Sequence, residues 1–148
     1  MPSRMRIILT LLLAVALWVI ATMLARADVR IISSPGGEVG PFLELFEKVR
    51  ASGERVIIDG PCLSACTLVL SVVPEDRICV TRRATLGFHA ARSVDRRGRT
   101  YAEPEASQIV LRTYPAPVRS WIEHRGGLTS RLLVLRGRDL KAMYASCR

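Results

Sequence analysis

Three short β-branched segments constrain this chain most: "VRIIS" at 29–33, "RVIID" at 55–59 and "RICVT" at 77–81. Each has the length and composition of a buried strand. From Val39 to Val49 the apolar residues Val39, Phe42, Leu43, Phe46 and Val49 recur at three and four, which predicts one helical face, with Gly53 as a left-handed stop. "LSACTLVLSVV", residues 63–73, is apolar nearly all round. That predicts a helix buried against a sheet and ended by Pro74. Strand, helix, strand, helix, strand in close succession predicts an α/β fold with a parallel sheet and crossover helices. "ATLGFHA" at 84–90 predicts a fourth short extended piece, and the polar "RSVDRRGRTYAEPEA" at 92–106 a surface loop or arm. From Glu105 to Tyr144 the pattern predicts a helical C-terminal part in two or three pieces, broken at "YPAP" and "RGGLTS".

The first residues are of another kind. Arg4 and Arg6 precede a charge-free apolar run from Ile7 to Ala25, and the run closes in Ala-Arg-Ala at 25–27. A basic start, an apolar middle and a small-x-small ending predict a signal peptide over residues 1–27, with one α/β domain over 28–148. The alternative is an uncleaved anchor, since the run 7–25 is long enough to span a bilayer. The first reading places the protein in the periplasm or outside the cell. The second holds it at the inner membrane.

Net charge is +9 over 148 residues, and the excess is spread along the chain. Its densest patches, "TRRA" and "DRRGR", have no interleaved aromatics, so no nucleic-acid partner is expected. A basic surface suited to an anionic envelope accounts for the charge as well. The four cysteines, Cys62, Cys66, Cys79 and Cys147, are an even set in an exported chain and predict disulfides, with three connectivities open. No metal site is expected, because His89 and His124 form no zinc-like ligand pair with them. No cofactor is expected either. The spacing of Cys62 and Cys66 departs from the Cys-x-x-Cys redox pattern, so a staple around Ser64 is the better reading of that pair.

Open parallel sheets carry their sites in loops at the carboxyl ends of strands. "SSPGGEV", "GPCLSAC" and "GFHAA" fall there. An acyl-transfer site needs a hydroxyl, a base and amide donors aimed at the developing oxyanion. Ser64 at a helix start supplies the first, His89 at a strand end the second, and the amides of Gly37 and Ala65 the third. Taken singly, Ser64 is equally a helix cap or a packing residue, His89 a partly buried structural histidine, and Ser-Pro-Gly-Gly a common turn. Trp121 and Tyr114 are expected to pack the C-terminal helices, and His124 to sit at a helix end.

"SPGGEV", "GPCLSAC" and "ATLGFHA", in this order, resemble the three signature segments of the Clp protease proteolytic subunit, within the ClpP/crotonase superfamily. The chain is similar in particular to small exported ClpP-like proteins of Gram-negative bacteria that carry a Cys-x-Ser-Ala-Cys segment. The resemblance covers about Val29 to Ala91 and fades in the C-terminal third. It implies a ClpP/crotonase-like fold and a serine hydrolase acting on peptide or acyl substrates. Ser64 would be the nucleophile, His89 the base, and Gly37 and Ala65 the oxyanion donors. The acid orienting the base lies far downstream in the family; Asp139 is the candidate here and Asp95 the alternative. The cysteines beside the serine depart from the family pattern, and the element that builds its double ring is not recognisable, so the resemblance leaves the oligomer open. Because the superfamily also hosts inert scaffolds, a non-catalytic envelope protein acting as an interaction or assembly module is the competing reading.

Overall fold

The computed structural model describes the backbone of residues 2–24 and 27–148, and the side chains of residues 5–18 and 27–148. Helix α1 (Pro2–Leu24) carries residues 7–24 of the charge-free run, and its described apolar side chains, from Ile7 to Trp18, are exposed. The expected cleavage site at 25–27 lies largely outside the described residues. Among the described residues no helix is long and apolar enough to cross a membrane.

The remainder is a mixed α/β structure. Strand β1 (Asp28–Ile31) leads through the Ser-Pro-Gly-Gly turn into α2 (Val39–Ser52), which buries Phe46 and Val49 and stops at Gly53 with φ 77°. Strand β2 (Arg55–Ile58) pairs in parallel with β1 on one side and with β4 (Ile78–Val80) on the other. β2 and β4 are buried almost throughout, because a central parallel strand is covered on both faces and needs a continuous apolar run. The chain ends in β9 (Ala145–Ser146), parallel to β4, completing a four-stranded sheet in the order β1-β2-β4-β9.

A second sheet stands beside it. Strand β3 (Pro61–Leu63) pairs in parallel with β5 (Thr85–Phe88), and β5 pairs antiparallel with β8 (Leu133–Arg136). Strands β6 (Arg92–Val94) and β7 (Thr100–Ala102) form an exposed hairpin, so the expected arm has a regular core. Helices α4 (Pro104–Thr113) and α5 (Ala116–Glu123) follow, broken at Tyr114-Pro115 as the sequence predicts.

Two expectations are corrected. Residues 63–73 are not one helix: β3 runs into a 3-10 helix at Ser64–Leu68 and only then into the short α3 (Val69–Val72). Within the expected helical C-terminal part, β8 is a strand whose Leu133 and Leu135 face the core while Val134 and Arg136 face out. That period of two matches the pleat of an edge strand. Gly137, at φ 62°, then turns the chain into α6 (Gly137–Met143).

Two devices hold the strand ends. The Cys79–Cys147 disulfide pins β9 to β4 across 68 residues of chain. By loop-closure entropy, a cross-link of that span is worth on the order of 4 kcal/mol. At the carboxyl end of β2 the buried Asp59 accepts from Arg30 at 2.6 Å, from Arg83 at 2.6 Å and from Thr81 at 2.7 Å. These partners, Arg83 foremost, hold the Asp59 carboxyl far below the usual carboxylate range. A carboxyl so depressed stabilises the fold at every pH above its unfolded value of about 4, and the contribution is lost as pH falls toward the folded value. Thermal melts should therefore fall steeply from pH 4 to pH 2 in the parent protein. The Asp59→Asn variant should start lower at pH 6 and change less over that range; parallel curves would remove Asp59 as the acid-sensitive group.

Candidate active site

Ser34, just past β1, is the first positioning element. Its N–H donates to the Pro61 carbonyl at 2.7 Å, and its carbonyl accepts the Leu63 N–H at 3.0 Å. The pair forms an isolated parallel bridge between Ser34 and Cys62. It carries the Ser-Pro-Gly-Gly turn against the start of the 3-10 helix. At Gly36, with φ 85°, a Cβ would stand 2.5 Å from the Leu63 carbonyl oxygen and 2.6 Å from the Ser64 Cβ. Only a residue without a side chain allows that approach.

Ser64 has φ 55°, the only non-glycine among the described residues with positive φ. A side chain in that region costs about 1–2 kcal/mol, so neighbouring contacts must hold it there. Three do. The Cys62–Cys66 disulfide closes a short ring around the serine. Thr67 Oγ1 donates to the Ser64 carbonyl at 2.6 Å. Because the single Thr67 hydroxyl proton is used there, the 2.6 Å contact between Thr67 and Tyr114 has Tyr114 as donor. Burial pushes the Tyr114 hydroxyl up to about 12.

Tyr114 also stacks edge-on against Phe88, with centroids 5.3 Å apart, and Phe88 packs on Trp121 at 6.3 Å. Phe88 is the last residue of β5, so the same tyrosine ties the serine turn to the strand that presents His89. The sequence gives Tyr114 only a packing role, since nothing in its local pattern reveals a partner 47 residues away.

These loops border one cleft of about 690 Å³. Ser64, Ala65, Gly37 and His89 all line it, together with Leu68, Val110 and Tyr114. No hydrogen bond engages the N–H of Gly37 among the described residues, and Ala65 lies in the first turn of its helix, where amides have no intrahelical acceptor. A Cβ at Gly37 would meet only Phe42, at 3.5 Å, so its amide needs no glycine for space.

His89 Nδ1 lies 2.7 Å from the carbonyl oxygen of Ala90. A carbonyl only accepts, so Nδ1 carries the proton and Nε2 is the free basic nitrogen. Asp139 is not brought to this histidine. Its carboxylate accepts from Trp121 Nε1 at 3.1 Å and from Arg125 at 3.4 Å. Asp95 is not either: it sits in the β6–β7 turn, where the amide and guanidinium of Arg99 hold its carboxyl below the usual range. His124 accepts no such role, its Nδ1 lying 2.7 Å from the Ser120 carbonyl at the end of α5. Among the described residues no three of His, Cys, Asp and Glu are grouped as metal ligands.

No protein-family profile matches the chain, and no curated protein matches it.

The clearest consequence concerns Gly36. Replacing it by Ala puts a methyl into Leu63 and Ser64 and strains the backbone besides. The variant should lose any reaction at Ser64, while Gly37→Ala should keep most of it. Reaction of Ser64 with an electrophilic probe, read by mass spectrometry beside a thermal melt, separates the two positions.

Proposed function

We propose that this chain is an exported serine hydrolase of ClpP/crotonase-like fold, acting on peptide or acyl substrates through a Ser64–His89 dyad. The observation that carries the reading is the strained φ of Ser64 in a cleft that also holds His89 and two unengaged amides. Strain at a non-glycine residue persists only where its surroundings over-determine it, and it gathers at functional sites. The two disulfides are compatible with an oxidising compartment.

His89 Nε2 takes the Ser64 hydroxyl proton as Oγ attacks the substrate carbonyl. The oxygen becomes an oxyanion received by the N–H groups of Gly37 and Ala65. Collapse of this intermediate breaks the bond to the leaving group, which takes the proton back from His89. Water, deprotonated by the same nitrogen, then releases the acyl group and restores Ser64. The Ala90 carbonyl fixes the tautomer that leaves Nε2 free.

Two observations favour the non-catalytic module instead: among the described hydrogen bonds neither a carboxylate nor the Ser64 hydroxyl bonds to His89. A fluorophosphonate probe on the full chain in mild detergent separates the two. The dyad predicts a covalent adduct on Ser64, absent in Ser64→Ala. His89→Ala should slow labelling by roughly 10²-fold or more, the scale of one positioned general base. Asp139→Asn should label at the parent rate. A parent protein that stays unlabelled although its melt is normal leaves the module reading in place.

A further inference from the structure

The group that orients His89 is one half of a peptide unit, and the other half of that unit is held by Ser107. The Ala90 carbonyl faces His89 Nδ1 at 2.7 Å. The N–H of the same peptide belongs to Ala91, and it donates to Ser107 Oγ at 2.8 Å. A trans peptide is planar, with C=O and N–H pointing in opposite directions, so fixing one fixes the other. Ser107 is itself pinned. It lies in the first turns of α4, is only 4% exposed, and donates its hydroxyl proton to the Glu103 carbonyl at 2.8 Å. Its lone pairs are thus turned to Ala91. The flanking groups close the clamp: the Ala90 N–H donates to Thr129 at 2.7 Å, and the Ala91 carbonyl accepts the Glu103 N–H at 3.0 Å.

We infer that Ser107 is a positioning residue for His89, acting through the 90–91 peptide in the place that a carboxylate would fill. The inference rests on the proposed dyad for its catalytic meaning, although the clamp is a matter of geometry alone. Among the described residues Ser107 Oγ is the group that bonds the N–H of that peptide, while Thr129 and Glu103 hold the peptides on either side of it. Without the Ser107 hydroxyl the Ala91 N–H loses its partner, and the peptide is free to rotate its carbonyl away from the imidazole. The donated bond also polarises the peptide, which strengthens the carbonyl as an acceptor for Nδ1–H.

The test reads the tautomer directly, by long-range ¹H–¹⁵N correlation of the His89 ring in the full chain. The parent should show the Nδ1–H form. Ser107→Val should shift the ring toward the Nε2–H form, and Ser107→Thr, of the same shape with the hydroxyl kept, should restore the parent pattern. Fluorophosphonate labelling of Ser64 should slow roughly tenfold in Ser107→Val and recover in Ser107→Thr, as expected for a misplaced base. An Nε2–H ring in the parent overturns the clamp before any variant is made, so a valine variant that does not fold leaves the idea testable. A folded Ser107→Val protein with the parent tautomer also overturns it, whether or not Ser64 reacts. A tautomer shift in a protein whose Ser64 never labels supports the clamp and removes the hydrolase.

Discussion

The two main-chain hydrogen bonds at Ser34 are the constraint on which the site depends. Without them the first loop would end β1 and wander to solvent. With them the chain runs alongside β3 for one residue, and Gly36 meets the backbone of Leu63 and Ala65. The same close approach recurs one step earlier, where a Cβ at Gly60 would stand 1.9 Å from the Ile32 carbonyl oxygen. The loops after β1 and β2 are therefore joined through backbone contacts that no side chain could mediate. A cleft between them follows from that joint, since Gly37 is carried to the mouth of the serine turn.

The serine turn is held by contacts from three directions, and their sizes are comparable. Closing a ring as short as Cys62–Cys66 removes roughly 2 kcal/mol of chain entropy from the unfolded state, similar to the cost of one positive-φ residue. The Thr67 bond adds about 1 kcal/mol. Tyr114 then does two things with one side chain. Its ring packs on Phe88, behind His89, and its hydroxyl completes the Thr67 relay to the Ser64 carbonyl. A change in the packing of α4 and α5 would reach the Ser64 turn and the strand that presents His89 together.

Much of this could be seen in the residues alone. The β-branched segments marked β2 and β4 because a parallel strand covered on both faces has no polar side to disguise it, whereas β1 is an edge strand with Asp28 and Arg30 exposed and was marked by its β-branched residues and the Pro-Gly-Gly turn after it. The i, i+3, i+4 pattern and Gly53 marked α2 at both ends. What escaped was of two kinds. Strand β8 lies in "LLVLRGRDL", where a short apolar run fits either period, and only its pairing with β5 decides for a strand. The second kind is non-local. Ser107 and Tyr114 look like ordinary helix residues, and the bonds they make to residues 91 and 67 depend on how α4 settles over the two functional loops. Asp139 drew attention for being an acid at a plausible distance along the chain, whereas its place was decided by Trp121 and Arg125.

A peptide carbonyl in the place of a carboxylate changes what the proposed dyad could do. Both are acceptors, and both can select the tautomer with Nε2 free. The carboxylate carries a full charge, and hydrogen bonds to charged groups are roughly twice as strong as neutral ones. A cation formed on His89 in the proposed proton transfer would therefore have a dipole beside it instead of an anion. A dipole held by Ser107, between peptides held by Thr129 and Glu103, keeps its direction, so orientation would survive while electrostatic help is reduced. Such a proposed site would be suited to carbonyls whose leaving groups depart easily, because less of the barrier would then fall on proton transfer. Among the substrates that the proposed fold could take, activated acyl esters demand least of this arrangement, and unstrained peptide bonds demand most.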